Sequence, residues 1–571
     1  RGVCGAARAV AESQAAGRAE RGAEAPYWIP ACAAAVVGLV ALEGPVLAKQ
    51  PPEARQAVYV WGRSQGIPGG AEGDVLLPRR IEWFEQNPHG WAKIDFGPDF
   101  GVALDKKGHI FVWGEGSPDG VPVGPVAVDL QGEAKGLVFD DAQCSSTKVF
   151  ALTRRGQVVV FEGVLEDLRS LSKAKASSPA GPDRPLQLSG RLMPGLPQPT
   201  SLSFGGTGIK QMDIGLEHAA FVTFRGQVYT VGGNEWGQCG VRPPRQKGPM
   251  GALEERQRME VEEPVLVQFP ETAAPIVSVV VGGRHTVCTD ATRRTWAFGD
   301  DRRIQLGLGD TRTAGNDERN AYGVLHQDAL GGKKTKQDIK RAVTYRYYDP
   351  HMQHTPTLQV PPAVYNRPEY PPPTYITCGE DFTIALHRDS PDWYSADQET
   401  SVLMCCGENG EGQCGRSLQQ QQNAWLPVRL PKRSKVLAAA SGQSHSLALL
   451  STGEIFAWGS NQQGQVGNGK RALVYRPLRV AAEKREQPEP AAAAPEPVAA
   501  ESAPSPQAPT FAARAAEAAA MLPWSRGQRS APAEAQRRPE HPAVELPGKV
   551  QAIACGFRNS CVVCELPAGE R

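Results

Sequence analysis

Residues 215–240 read GLEHAAFVTFRGQVYTVGGNEWGQCG, and the pattern returns as GQSHSLALLSTGEIFAWGSNQQGQVG at 442–467 and GPDFGVALDKKGHIFVWG at 97–114. Three glycines keep one spacing: the second lies eleven residues after the first, the third six after that. Gly97/Gly108/Gly114, Gly215/Gly226/Gly232 and Gly442/Gly453/Gly459 obey it, and in Gly282/Arg293/Gly299 only the middle glycine is replaced. A second half follows the third glycine, with Asn or Asp two residues on, Gln six on and Gly eight on. It occurs as Asn234/Gln238/Gly240, Asp301/Gln305/Gly307, Asn409/Gln413/Gly415 and Asn461/Gln465/Gly467. A fixed period of this kind marks a repeat architecture, in which each unit buries its faces only against its neighbours.

The chemistry of one unit predicts its shape. The run between the first two glycines is short and apolar, as in AAFVTF or SLALLS, and reads as a buried strand. The middle glycine sits in a turn such as Phe224-Arg225-Gly226-Gln227, where positive φ costs glycine little. A second strand follows, Val228-Tyr229-Thr230-Val231 or Ile455-Phe456-Ala457-Trp458. Seven first-glycine half-units lie near 97, 140, 215, 282, 379, 442 and 556, and seven strand ends at Gly62, Gly114, Gly163, Gly232, Gly299, Gly407 and Gly459. The series starts with a second half, Ala57–Gly62, and ends with a first half, Ala552–Glu565. The two orphans complete one unit, which is what closing a ring requires. The expected fold is all-β: a seven-bladed β-propeller over 55–566, closed by pairing the N- and C-terminal strands.

The motif combining G-x-x-H, a glycine turn, a V-x-x-W-G strand and N-x-x-G-Q-x-G resembles the regulator of chromosome condensation repeat. That resemblance covers most of residues 57–565 outside the insertions. Within it, Gly282-Gly283-Arg284-His285-Thr286 is similar to a tryptophan motif of the plant ultraviolet photoreceptor branch, but Gly283 stands where that branch has Trp. This argues against a photoreceptor.

Composition narrows the function. Lys+Arg is 62 and Asp+Glu 61, a net charge of +1, so a nucleic-acid partner held by bulk electrostatics is not expected. Gly 61 and Pro 49 make turns frequent and long helices few. The twelve cysteines form no dense framework and read as reduced, buried thiols. Residues 1–24 are Ala/Gly-rich with four arginines, like an organelle leader, and 25–47 open with an 18-residue uncharged run, APYWIPACAAAVVGLVAL. Such a run is long enough for one transmembrane helix, with Tyr27 and Trp28 placed as interfacial anchors. Three loop insertions are expected, at 164–207, 313–372 and 481–547. The first carries LEDLRSLSKAKASS, the second KKTKQDIKR (Lys333–Arg341), and the third is Ala/Pro-rich and unable to bury a core. A short helix, Phe511–Leu522, is expected within the third.

Motifs that carry chemistry elsewhere are explained here by the repeat. Gly410-Glu411-Gly412-Gln413-Cys414-Gly415 matches G-x-G-x-x-G but falls on the repeat's own turn, without the strand-to-helix context a dinucleotide needs. Cys561-Val562-Val563-Cys564 lies on a strand, where a spacing of three turns the thiols to opposite faces. Cys405 and Cys406 read as small core residues. His218, His285 and His445 recur at one repeat position, filled elsewhere by Phe100, Phe382 and Asn559, and are read as satisfying backbone groups between blades. Trp61, Trp113 and Trp458 read as inter-blade packing. No catalytic, cofactor-binding or metal residue is assigned, and no cofactor.

Fold alone does not give function. The order of leader, span and propeller resembles mitochondrial members of the family, which implies a non-enzymatic scaffold in the inner membrane. Such a scaffold would support a respiratory complex of the cytochrome bc1 type, with protein partners on the propeller faces and loops and the membrane at 25–47. The family's founder implies an alternative, guanine-nucleotide exchange on a small or organellar GTPase, and a second, a nuclear chromatin or Ran factor.

Overall fold

The computed structural model describes residues 55–71, 73–114, 123–177, 185–199, 206–241, 245–247, 253–255, 260–308, 352–359, 373–391, 399–417, 425–431, 435–480, 546 and 548–566. The expected leader, the span at 25–47, Lys333–Arg341 and Phe511–Leu522 lie outside these residues. Among the described residues no helix is long and apolar enough to cross a membrane.

The fold is all-β, with one α-helix, Val164–Ser177, among the described residues. Its sheets comprise five of four strands, one of eight and one of two. The eight-stranded sheet supplies two units: unit one (Trp91–Phe96, Phe100–Asp105, Ile110–Gly114, Val123–Gly132) and unit two (Phe139–Cys144, Val149–Thr153, Val158–Phe161, Leu186–Leu192). Unit three begins at Ile209–Ile214, unit four at Ile276–Val281, unit five at Tyr375–Cys378 and unit six at Val436–Ser441. The remaining sheet, here unit seven, takes Gln56–Gly62 and Val75–Arg80 from one end of the chain and Lys549–Cys555 and Asn559–Glu565 from the other. Gln56–Gly62 pairs antiparallel with Asn559–Glu565 without a slip, from Gln56↔Glu565 to Gly62↔Asn559.

Each unit is a meander because the glycine turns permit it. Gly62, Gly232, Gly299, Gly407 and Gly459 all take φ between 106° and 115°, a region closed to residues with a Cβ. Arg293 replaces the middle glycine of unit four and holds φ 66° in the same turn. The core lies between the sheets. Trp61 of unit seven packs with Leu447 and Ala457 of unit six, Trp113 of unit one with Val58 and Val60 of unit seven, and Phe221 of unit three with Phe150 and Leu152 of unit two. The first strand of each unit neighbours that of the next, and that of unit seven neighbours that of unit one. Residues at the ends of these strands, among them Cys144, Val281, Cys378, Ser441 and Cys555, surround one narrow opening of about 90 Å³.

Four expectations need correction. Unit two has no glycine at the first position: Ser145 makes the backbone bond to the Lys148 carbonyl that Gly215 makes to His218 and Gly442 to His445. The half-unit near 140 is therefore five residues further on. Its third-glycine position is Glu162, since Val149↔Phe161 sets the register opposite Lys148 to Glu162, one residue before Gly163. Finally, residues 164–207 are more than a loop, since they hold the helix and the fourth strand of unit two. Likewise Met352–Leu358, within 313–372, is the fourth strand of unit four. The strand Leu186–Leu192 alternates buried and open residues, and it pairs parallel with Val123–Gly132, joining unit two to unit one at their outer edges.

Candidate functional site

The repeat's signature residues build joints between units. His218 Nε2 lies 2.9 Å from Thr286 Oγ1 of unit four, and that hydroxyl donates to the Gln238 carbonyl at 2.8 Å. His285, Thr383 and Gln305 repeat the arrangement at 2.9 and 2.8 Å, and His445, Ser560 and Gln465 at 3.0 and 2.8 Å. A hydroxyl has one proton, and the carbonyl takes it, so each histidine must donate from Nε2. These rings are fully enclosed. Burial holds their pKa values down, to about 3 for His218 and about 4 for His285 and His445. The histidines therefore work as neutral joint residues. Each Nε2 meets a side-chain hydroxyl that itself bonds a backbone carbonyl, and each ring also meets a backbone group of the next unit, at His285, Glu380 and Asn559 in turn, in keeping with the expected role between blades.

The indoles complete the joint. Trp61 Nε1 donates to the Gln465 carbonyl and Trp458 Nε1 to the Gln413 carbonyl, both at 2.8 Å, while Trp113 Nε1 reaches the Gly66 carbonyl at 3.0 Å. Each Asn-x-x-x-Gln-x-Gly turn is thus a plug that one unit inserts against the next, held by a hydroxyl, an indole or both. The G-x-G-x-x-G stretch at 410–415 is one of these plugs. Its Cys414 N–H is capped by Asn409 Oδ1 at 3.1 Å, and a Cβ on Gly412 would press on Tyr475. Cys561 and Cys564 belong to different core clusters, on opposite faces of their strand. Cys405 and Cys406 are buried, as are all ten described cysteines, none of them in a disulfide. Among the described residues no three His, Cys, Asp or Glu side chains are placed to hold a metal ion.

The first strands carry a second set of joints, which the repeat spacing did not reveal. Asp95 Oδ2 accepts the Cys144 N–H at 2.7 Å, Gln143 bonds both the Met212 carbonyl and the Ile214 N–H at 3.0 Å, and Asp213 Oδ2 accepts the Val281 N–H at 2.5 Å. Each of these three strands is pinned to the next by a side chain two residues before the first-glycine position. Alternation in the sequence marks these positions as inward, but only the ring of neighbours shows whose backbone they meet. Burial raises the Asp95 carboxyl to about 6 and also pushes Asp213 well up, against the opposing pull of the N–H groups and Lys93. The Lys93 ammonium pairs with Asp141.

Because its folded pKa lies above the unfolded 3.8, Asp95 contributes stability below pH 4 that is lost as pH rises through about 6. At about 1.4 kcal/mol per pKa unit, the loss is on the order of 3 kcal/mol. Asp95→Asn keeps an acceptor for Cys144 and removes the titration. Denaturant unfolding should find the variant about as stable as the parent at pH 4 and more stable by roughly 1–3 kcal/mol at pH 8. The buried histidines act in the opposite sense, with stability full above pH 6.5 and falling as pH drops toward 4. They are common to both proteins and cancel in the difference. A constant difference across pH would refute the assignment.

With the joints accounted for, the face carrying the plugs and the G-x-x-H loops keeps the free chemistry. The Arg302 guanidinium lies 3.5 Å from the Trp236 ring centroid, and Arg284 5.6 Å. Ion pairs bridge units around the rim: Arg284–Asp381 at 3.6 Å, Arg303–Glu408 at 3.0 Å and Arg63–Asp99 at 3.3 Å. On the same face a cleft of about 680 Å³ opens between units two and three, with Lys148, Glu162 and His218 in its lining.

These joints define a repeat-built propeller-type protein. The model of the regulator of chromosome condensation (RCC1) repeat matches residues 225–289, 403–449 and 452–492, and a second model of the repeat matches 436–465. The chain carries RCC1 repeats. It is 32% identical over 79 residues to the human probable E3 ubiquitin-protein ligase HERC6, covering 14% of this chain and 8% of that protein. It is 25% identical over 217 residues to the Saccharomyces cerevisiae guanine nucleotide exchange factor SRM1, covering 36% and 39%. The chain thus spans a minor part of each relative. The crystal structure of Prp20p from Saccharomyces cerevisiae, studied with its binding properties to Gsp1p and histones, superposes with a TM-score of 0.52 at 13% identity. The match covers 90% of this chain and 93% of that one, a likeness of fold.

Proposed function

We propose that the chain is a non-enzymatic scaffold that binds protein partners through the loop face of a closed, seven-bladed propeller. The observation that carries this reading is how the side chains are allotted. His218, His285, His445, Trp61, Trp113 and Trp458 are all engaged in joints, which leaves charge, Trp236 and an open cleft facing outward. Loops on a rigid scaffold are where recognition is usually placed. The neighbouring first strands and the pairing of Gln56–Gly62 with Asn559–Glu565 support the closed ring. A tether through residues 25–47, a place at the mitochondrial inner membrane and a role in assembling a complex of the cytochrome bc1 type complete the reading. These rest on the leader-like start and the uncharged run Ala25 to Leu42.

The test is extraction and native purification of the full chain from cells. Alkaline carbonate should leave it in the membrane pellet, and mild detergent should co-purify bc1 subunits. Release into the supernatant would overturn the tether, and purification without any stoichiometric partner would overturn the scaffold. The identity with an exchange factor favours a second reading, promotion of nucleotide release from a GTPase. Faster release of labelled GDP from a candidate GTPase on adding the purified chain would replace the first reading with this one.

A further inference from the structure

We propose that the cleft between units two and three seats an extended segment of a partner protein bearing Lys or Arg between apolar side chains, in the slot that other joints fill with their own plug. The proposal rests on the partner-binding reading above and names its site.

Both sides of this joint are altered together. From unit three onward a plug follows the third strand and lies against the next unit. Unit two has none among the described residues: its third strand ends at Phe161 and the chain turns into the helix Val164–Ser177. That helix packs back on unit one, with Val164 and Leu168 in the cluster of Phe100 and Phe161, and a Cβ on Gly114 would touch Leu168. The receiving side has changed to match. Ala219 stands where units four, five and seven place the hydroxyls of Thr286, Thr383 and Ser560, and Val231 where units one, six and seven place Trp113, Trp458 and Trp61. Lys148 occupies the histidine position, pairing with Glu162 at 2.7 Å. With plug, hydroxyl and indole all missing, the slot stays open at about 680 Å³, a volume typical of sites that enclose a ligand.

The walls state what would fit. Ala219, Val231, Phe150, Val160 and Met193 supply apolar lining. The unit-three side carries Glu217, Glu235, Glu260 and Glu262, none paired with a cation among the described residues. The unit-two side carries Glu162 against Lys148 and Arg191. Five carboxylates face two cations, one of them already neutralised by Glu162. His218, 2% exposed, forms part of the wall. An alternating apolar and basic segment would place its apolar side chains on the lining and its ammonium groups at the acidic side. A polyanion such as nucleic acid would be repelled there.

The probe is a fluorescein-labelled ten-residue peptide alternating Val and Lys, with a Val/Glu peptide as control, titrated into the full chain and read by anisotropy. The Val/Lys peptide should bind, and added salt should weaken it. Val231→Trp fills the slot with the side chain other units use there and leaves the charge unchanged. It should reduce affinity at least tenfold. Glu217→Gln/Glu260→Gln/Glu262→Gln should do the same without filling the slot, and thermal melts check that both variants remain folded. Equal binding of the Val/Glu peptide, or full affinity in folded Val231→Trp, would overturn the proposal. If partners co-purify undiminished with both variants while the peptide fails to bind, the cleft assignment falls and the scaffold reading stands. If the peptide binds as stated and no partner co-purifies, the reverse holds.

Discussion

Trp61→Ala should destabilise the protein by about 3–5 kcal/mol, the usual cost of emptying a fully buried indole site. Trp61 is 0% exposed, lies on the first strand of the chain's described residues, and packs across the joint to Leu447 and Ala457 of unit six. Its strand also pairs with Asn559–Glu565, so the vacancy opens at the seam where the two ends of the chain meet. Trp61→Phe separates packing from hydrogen bonding. It keeps a large ring and loses only the N–H bond to the Gln465 carbonyl, which the Ser560 hydroxyl still satisfies at 2.8 Å. Its cost should be near 1 kcal/mol. Denaturant unfolding measures both, with Phe224→Ala as the exposed reference, since Phe224 is 54% exposed. A Trp61→Ala effect no larger than that of Phe224→Ala would mean that the terminal strand is not part of the cooperative fold.

The second large effect concerns a residue with no side chain. Gly459→Ala is expected to cost about 3 kcal/mol, well above a simple turn glycine, because two penalties coincide. At φ 107° the backbone occupies a region that L-residues avoid, and a Cβ there would overlap the Ser444 carbonyl oxygen and crowd His445 Cα. Both are backbone atoms at the start of the adjacent strand, His445–Leu450, so relief requires shifting the strand that carries the joint histidine. Gly453→Ala isolates the first penalty. It has φ 84° and nothing within 4 Å of the added carbon, and should cost only about 1 kcal/mol. Equal losses in the two variants would show that the close approach at Gly459 carries no weight.

What could be read from the sequence follows from where its signals lie. The glycine spacing is local: a turn that requires positive φ writes itself into the chain at that position, and Gly226, Gly453 and the strand-ending Gly232 and Gly459 can be counted without coordinates. The opposite facing of Cys561 and Cys564 was legible for the same reason, since a strand's period of two is a local property. Unit two was misplaced because its signals are carried by other residues. Ser145 and Glu162 do the work of glycines there, and only strand pairing identifies them.

By itself the sequence determined the unit and its repetition, because backbone conformation and strand alternation depend on each residue and its near neighbours. It also showed two orphan halves at opposite ends that complement one another. Only the tertiary structure decided which side chains meet: His218 with Thr286, Asp95 with Cys144, and Lys148 across an open slot from Glu217. A joint is a relation between units far apart in the chain, and a missing plug leaves no motif to find. Its absence becomes a feature only when the neighbouring unit, already lacking its hydroxyl and its indole, stands beside it.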